Sequence, residues 1–147
     1  MKTFNNIVLA LSGLALFYMS TMRLFDPSAV VFLQSIADPS NVLTIEMANE
    51  IRAMGAENVL AGFVAFLGIF IPRFRLTAFV VLSVIFVSAT LGRSVSLVVD
   101  GVPDENIFRA WNHQAILAAM NVLCLAYILI KERKAPGKDQ LQPVDAA

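Results

Sequence analysis

The stretch NEIRAMGAEN, Asn49 to Asn58, decides how this chain is read. It carries Glu50, Arg52 and Glu57 and runs directly into VLAGFVAFLGIFI, Val59 to Ile71, which has the composition of a membrane helix interior. That apolar run is too short alone: 13 residues at about 1.5 Å each reach roughly 20 Å, against a hydrocarbon core of ~30 Å. Pro72 blocks growth at the far end, because a residue that precedes proline is pushed out of the helical region. The helix therefore extends backward through NEIRAMGAEN to about Thr44, and its charges lie in the membrane or at its edge.

Three other segments have the length of a span: Phe4 to Met22, Leu76 to Val99 with Arg93 near its end, and Phe108 to Ile130 with Arg109, His113 and Asn121 inside it. The expected fold is an all-α integral membrane four-helix bundle, with helices at about 4–22, 45–71, 76–99 and 108–130. The totals agree. The chain has 147 residues, 58% hydrophobic and 15% charged, with a mean hydropathy of +0.73, against about 25% charged in an ordinary soluble domain. A formal net charge of zero argues against nucleic acid, whose phosphates require a basic face. Cys124 is the one cysteine, so no intrachain disulfide forms, and no Cys/His spacing marks a zinc site. Lys2 and the apolar stretch after it resemble the front of a signal peptide, but no A-x-A site follows, which favours an uncleaved first helix.

Basic residues in short loops set the orientation. With both termini in the cytoplasm, Lys2, Arg73, Arg75, Lys131, Arg133, Lys134 and Lys138 lie inside, seven of the eleven; Arg23 and Arg109 count against this. The expected topology is multi-pass and N-in/C-in. Residues 1–134 form the helical domain. The tail 135–147 (APGKDQLQPVDAA) reads as disordered and cytoplasmic, and the first outer loop has room for a short interfacial helix around Ala29 to Ile36.

In that topology the polar groups gather in the outer half of the bundle. The second span brings Asn49, Glu50, Arg52, Glu57 and Asn58; the third brings Arg93, Ser96 and Asp100; the fourth brings Arg109, Asn112, His113 and Gln114. A charge at mid-bilayer costs about 2.5–3.5 kcal/mol on insertion scales, so such groups usually face inward and pair. Arg52 and Arg93 are expected to face the interior, and Arg93 to pair with Glu50 or Glu57. Plainer readings stay open: Arg93 snorkelling to the interface, Glu50 and Arg52 in the headgroup region, His113 as a hydrogen-bonding residue. Asn121 is expected to bond between helices, Trp111 and Tyr127 to mark the aromatic belts, and Gly55, Gly62 and Gly68 to allow close helix approach.

NEIRAMGA at Asn49 to Ala56, PRFR at Pro72 to Arg75 and LGRSVSLVVDGVP at Leu91 to Pro103 together resemble an uncharacterised family of small four-helix bacterial membrane proteins, catalogued as domain of unknown function 4345. The resemblance covers roughly Phe4 to Arg133 and marks Asn49, Arg52, Gly55, Gly92, Arg93, Ser96, Asp100 and Gly101. The sequence departs from the family where many members have Tyr-Gly-Gly, here Met54, Gly55 and Ala56. It departs again near His113 and Gln114, where many carry a glutamate. The family brings no established chemistry.

The candidate binding pocket is thus Asn49, Arg52, Asn58, Arg93, Ser96, Asp100 and Asn112, with no metal expected and no cofactor indicated. The favoured function is binding an amphiphilic small molecule, or serving another membrane protein as an auxiliary subunit within the lipid bilayer. The alternative is a membrane-embedded acid–base enzyme of isomerase or cyclase type, with Glu50, Glu57 and His113 as catalytic candidates. The sequence does not decide whether there is turnover.

Overall fold

The computed structural model describes residues 2–27, 44–99, 101 and 105–134. Within them the chain forms four helices: α1 (Lys2–Phe25), α2 (Ile45–Phe70), α3 (Arg75–Val99) and α4 (Glu105–Lys134). There is no strand among the described residues. Each helix is long and apolar enough to cross a membrane, so the fold is the all-α four-helix bundle that the sequence implies. The interfacial helix expected around residues 29–36, Asp100 and the tail 135–147 lie outside the described residues.

The start of α2 answers the question NEIRAMGAEN raises. Thr44 is extended and its side chain accepts a hydrogen bond from the Met47 backbone N–H at 3.2 Å. This satisfies one of the orphan donors of the first turn, while Glu46 lies favourably at the positive end of the helix dipole. From there the helix runs unbroken for 26 residues, about 39 Å at ~1.5 Å per residue, enough to cross the core. At its other end Ile71 turns extended before Pro72, as the proline ring demands. A single 3-10 turn, Pro72–Phe74, then feeds directly into α3, and Arg73 stacks on the Phe74 ring with 5.3 Å between guanidinium and centroid.

Glycine decides which helices touch most closely. Ala48, Gly55 and Gly62 are buried and recur every seven residues along α2, the spacing that keeps one seam against an antiparallel neighbour. That neighbour is α1. A Cβ at Gly55 would lie 3.0 Å from the Leu24 backbone nitrogen and 3.1 Å from the Ser20 carbonyl oxygen. One at Gly62 would lie 2.8 Å from the Phe17 ring and 3.2 Å from the Gly13 carbonyl oxygen. Small residues permit this approach, which replaces side-chain interdigitation with backbone contact. Gly68 does the same against Ala78 of α3. The chain is therefore two hairpins, α1–α2 and α3–α4, joined along α2 and α3, with α1 and α4 meeting sparingly.

The core lies toward the end that holds the Pro72 turn: Val8 and Leu9 of α1, Ala65 of α2, and Phe79 and Leu82 of α3 are fully or nearly fully buried. Two polar contacts brace that end. The Arg75 guanidinium donates to Asn6 Oδ1 at 3.0 Å, and fully buried Asn121 donates from Nδ2 to Ser12 Oγ and to the Leu117 carbonyl, both at 2.8 Å. Asn121 is thus the interhelical link expected of it, tying α4 to α1. Gly55→Leu is expected to destabilise the bundle by about 1–3 kcal/mol, the usual cost of overpacking, because backbone rather than a movable side chain stands in the way. A reversible unfolding titration in mixed micelles measures this.

Candidate functional site

At the end away from the Pro72 turn the helices leave a cleft of about 530 Å³ that all four line. Its volume is within the range of small-molecule sites. The walls nearer the core are apolar, with Leu16 and Met19 of α1, Ile85 and Phe86 of α3, and Leu117 of α4. The opposite part is polar: Ser20 and Arg23 of α1, Glu57 and Asn58 of α2, Arg93 of α3 and Gln114 of α4. The cleft is therefore amphipathic along its length, a property no single helix displays.

Of the residues singled out from sequence, the cleft gathers Glu57, Asn58, Gly92, Arg93 and Gln114. Asn49, Glu50 and Arg52 lie further along α2, exposed and away from it. The seam through Ala48, Gly55 and Gly62 fixes which face of α2 is covered, and Asn49 and Arg52 fall outside that face. Ser96 and His113 are exposed and Asn112 is half-buried; none of the three lines the cleft. Glu50, Glu57 and His113 are therefore not brought to one place. Arg93 is half-buried as expected, but among the described residues it pairs with neither Glu50 nor Glu57, and Arg52 does not face the interior. The ion pair seen among the described residues is Arg109 with Glu105, one turn apart on the exposed start of α4. Among the described residues no three His, Cys, Asp or Glu side chains gather to hold a metal ion.

The sequence reading missed Arg23 and Ser20. Arg23 had a signal: it was a basic residue at the wrong end for the orientation rule. A charge that opposes the loop pattern is a charge with another use. Gly55 makes room for it, since the Arg23 Cβ is only 3.1 Å from where a Gly55 Cβ would stand. The side chain can thus leave the tight α1–α2 seam and reach the cleft. Ser20 stood in a string of small hydroxyl and methionine residues with nothing to mark it.

Trp111 is not simply an interfacial anchor. Its indole N–H lies 3.2 Å from Ser94 Oγ and 3.4 Å from the Thr90 carbonyl oxygen, and its ring stacks on Phe108 with centroids 5.6 Å apart. This clasp holds α4 against α3 beside the cleft.

Helices of membrane length around a half-polar cleft define a small multi-helix protein of membrane type. The chain belongs to the family described as domain of unknown function (DUF4345), which matches residues 4–125, across all four helices. No curated protein and no solved structure matches it.

The cleft's openness can be tested with thiols. Cys124 is 2% exposed in the core, whereas Ala89 lines the cleft. Ala89→Cys is expected to react with a small maleimide at least about tenfold faster than Cys124, because buried thiols in apolar surroundings are inert. Mass spectrometry after timed labelling counts both.

Proposed function

We propose that this protein binds an amphiphilic small molecule in the cleft, with the molecule's apolar part against Leu16, Phe86 and Leu117 and its polar part toward Arg23 and Arg93. One observation carries this reading: a single cleft lined by all four helices is apolar on one side and charged on the other. Sites for small ligands have this form, mostly apolar walls with a few placed polar groups. Space between the helices of a bundle is where such sites are built. The protein acts in the bacterial inner membrane as a multi-pass protein with both termini cytoplasmic, supported by the four membrane-length helices and the basic residues grouped near the termini and the Pro72 turn. A fluorescent protein fused after Ala147 is expected to fluoresce in the cytoplasm, and alkaline phosphatase at the same place to be inactive; an active phosphatase overturns the orientation.

Gly92 provides the test of binding. It lines the cleft, and a Cβ added there meets nothing within 4 Å. Gly92→Leu therefore projects into open space, and replacing a helical glycine with leucine gains up to about 1 kcal/mol of helix propensity. The variant is expected to be as stable as the wild type or slightly more so, and to lose the bound molecule. Native mass spectrometry of both proteins, released gently from their own membrane, reads this directly. An extra mass on the wild type alone supports the reading. Bare chains in both cases, or a larger assembly with other chains that Gly92→Leu leaves intact, count against it, the latter in favour of an auxiliary subunit.

A further inference from the structure

We propose that Arg23 and Arg93 together form the receptor for an anionic headgroup, a phosphate or a carboxylate, so that the ligand is an anionic amphiphile. This rests on the cleft being an amphiphile site and adds its chemical class. Two guanidinium groups, one from α1 and one from α3, line the same cleft, both half-buried. Glu57 is the carboxylate among the lining residues and it is exposed, so the deeper part of the polar region is positive.

Three of the chain's five other arginines show the contrast, while Arg52 and Arg133 are exposed. Arg75 is held by Asn6, Arg109 by Glu105, and Arg73 lies over the Phe74 ring. Neither Arg23 nor Arg93 has a hydrogen-bond or ion-pair partner among the described residues. Unpaired charge away from water is costly, and two like charges facing one space cost more. The dipole at the end of α1 offsets part of this for Arg23, in the last turn. It offsets none for Arg93, six residues before the end of α3. An anion between them removes both costs, and the planar fork of each guanidinium suits phosphate or carboxylate oxygens.

A second observation is independent of the charges. Hydroxyls inside apolar helices usually bond back to a carbonyl one turn earlier. Thr21 does so to Phe17, Thr90 to Phe86 and Ser94 to Thr90, at 2.7–2.8 Å. Ser20, 1% exposed and on the cleft wall, does not: its Oγ has no partner. Gln114 Oε1, also on the wall, is likewise buried and unpartnered. A buried polar atom left without a partner calls for a reason, a missing ion, water or ligand among them. Of the six such atoms among the described residues, on Asn5, Ser20, Arg75, Ser83, Gln114 and Asn121, these two line the cleft. Ser20 supplies a rotatable donor to the same space that the arginines face.

The test titrates dodecyl phosphate into the protein held in dodecyl maltoside, so that a neutral amphiphile of equal chain length is always in competition. Bound mass and unfolding temperature are both recorded. The wild type is expected to retain one dodecyl phosphate. Arg23→Gln and Arg93→Gln are each expected to weaken it by about tenfold or more, the loss of a charge-assisted hydrogen bond, while Arg93→Lys keeps part of the affinity. Without ligand, Arg93→Gln is expected to unfold at the same temperature or higher, since it relieves repulsion. A marked fall in that temperature would make Arg93 a packing residue and overturn the assignment. Arginine variants that bind like the wild type, while Gly92→Leu does not, overturn the anion class and leave the cleft as a binding site. Unchanged binding to Gly92→Leu removes both readings, because the probe is then elsewhere. Inorganic phosphate bound as tightly as dodecyl phosphate keeps the anion site and overturns the amphiphile.

Discussion

The backbone contact between α1 and α2 is the constraint from which the rest of the structure follows. Without side chains at Gly13, Gly55 and Gly62 the two helices approach until backbone atoms meet. In a medium as apolar as the side chains themselves, such van der Waals contact takes the place of the hydrophobic effect. The seam makes α1 and α2 one rigid layer. It also occupies much of the small-residue face of α2; apart from the close contact of Gly68 with Ala78, the core on the α3 side is filled by larger side chains, Phe79, Leu82 and Phe86. These fill the space near the Pro72 turn. At the other end, where Ser88, Ala89 and Gly92 succeed them on α3, nothing of comparable volume follows, and the cleft remains.

Much of this was legible in the sequence, for identifiable reasons. The backward extension of the second helix followed from length alone, and Thr44 supplies the cap where the extension must begin. The turn at Pro72 followed from the stereochemistry of proline. Asn121, a lone amide in an apolar run, had to find a partner within its own bundle, and it found Ser12. What sequence could not fix was rotation about the helix axes. Arg52 and Glu57 are five residues apart and both charged, so composition treats them alike. Only the seam, which depends on how Gly55 meets Ser20 and Leu24, puts one at the cleft and the other away from it. Arg23 was obscured for a related reason: it belongs to the site through a glycine on a different helix.

Polar side chains toward the Pro72 turn have interhelical partners that those at the cleft lack, although single atoms of Asn5, Arg75, Ser83 and Asn121 are unpartnered there, as Ser20 Oγ and Gln114 Oε1 are at the cleft. Near the Pro72 turn, Arg75 and Asn121 are engaged by side chains of α1, so their burial stabilises one arrangement of the helices. At the cleft, Arg23, Arg93, Ser20 and Gln114 converge with little to satisfy them. A hydrogen bond that is made contributes modestly to stability, but a buried group left unmade costs more than that gain. Stability alone would replace the second set with apolar residues of similar size, as at the core. Their presence is a local conflict of the kind that is expected where function rather than folding sets the residue.

The same residues are the reason binding is proposed for the cleft in preference to acid–base turnover. Proton transfer needs an acid and a base within hydrogen-bond reach of one reacting centre. Glu57 is at the cleft, but Glu50 and His113 are exposed away from it, and the remaining polar groups there are arginines, a serine and amides. Arginine stays protonated throughout the accessible pH range, so it holds and orients charge without exchanging protons. A site built from two such groups beside apolar walls is equipped to recognise an anion attached to a chain. Its selectivity would rest on geometry that the α1–α2 seam sets for Arg23 and the Trp111 clasp steadies on the α3 side.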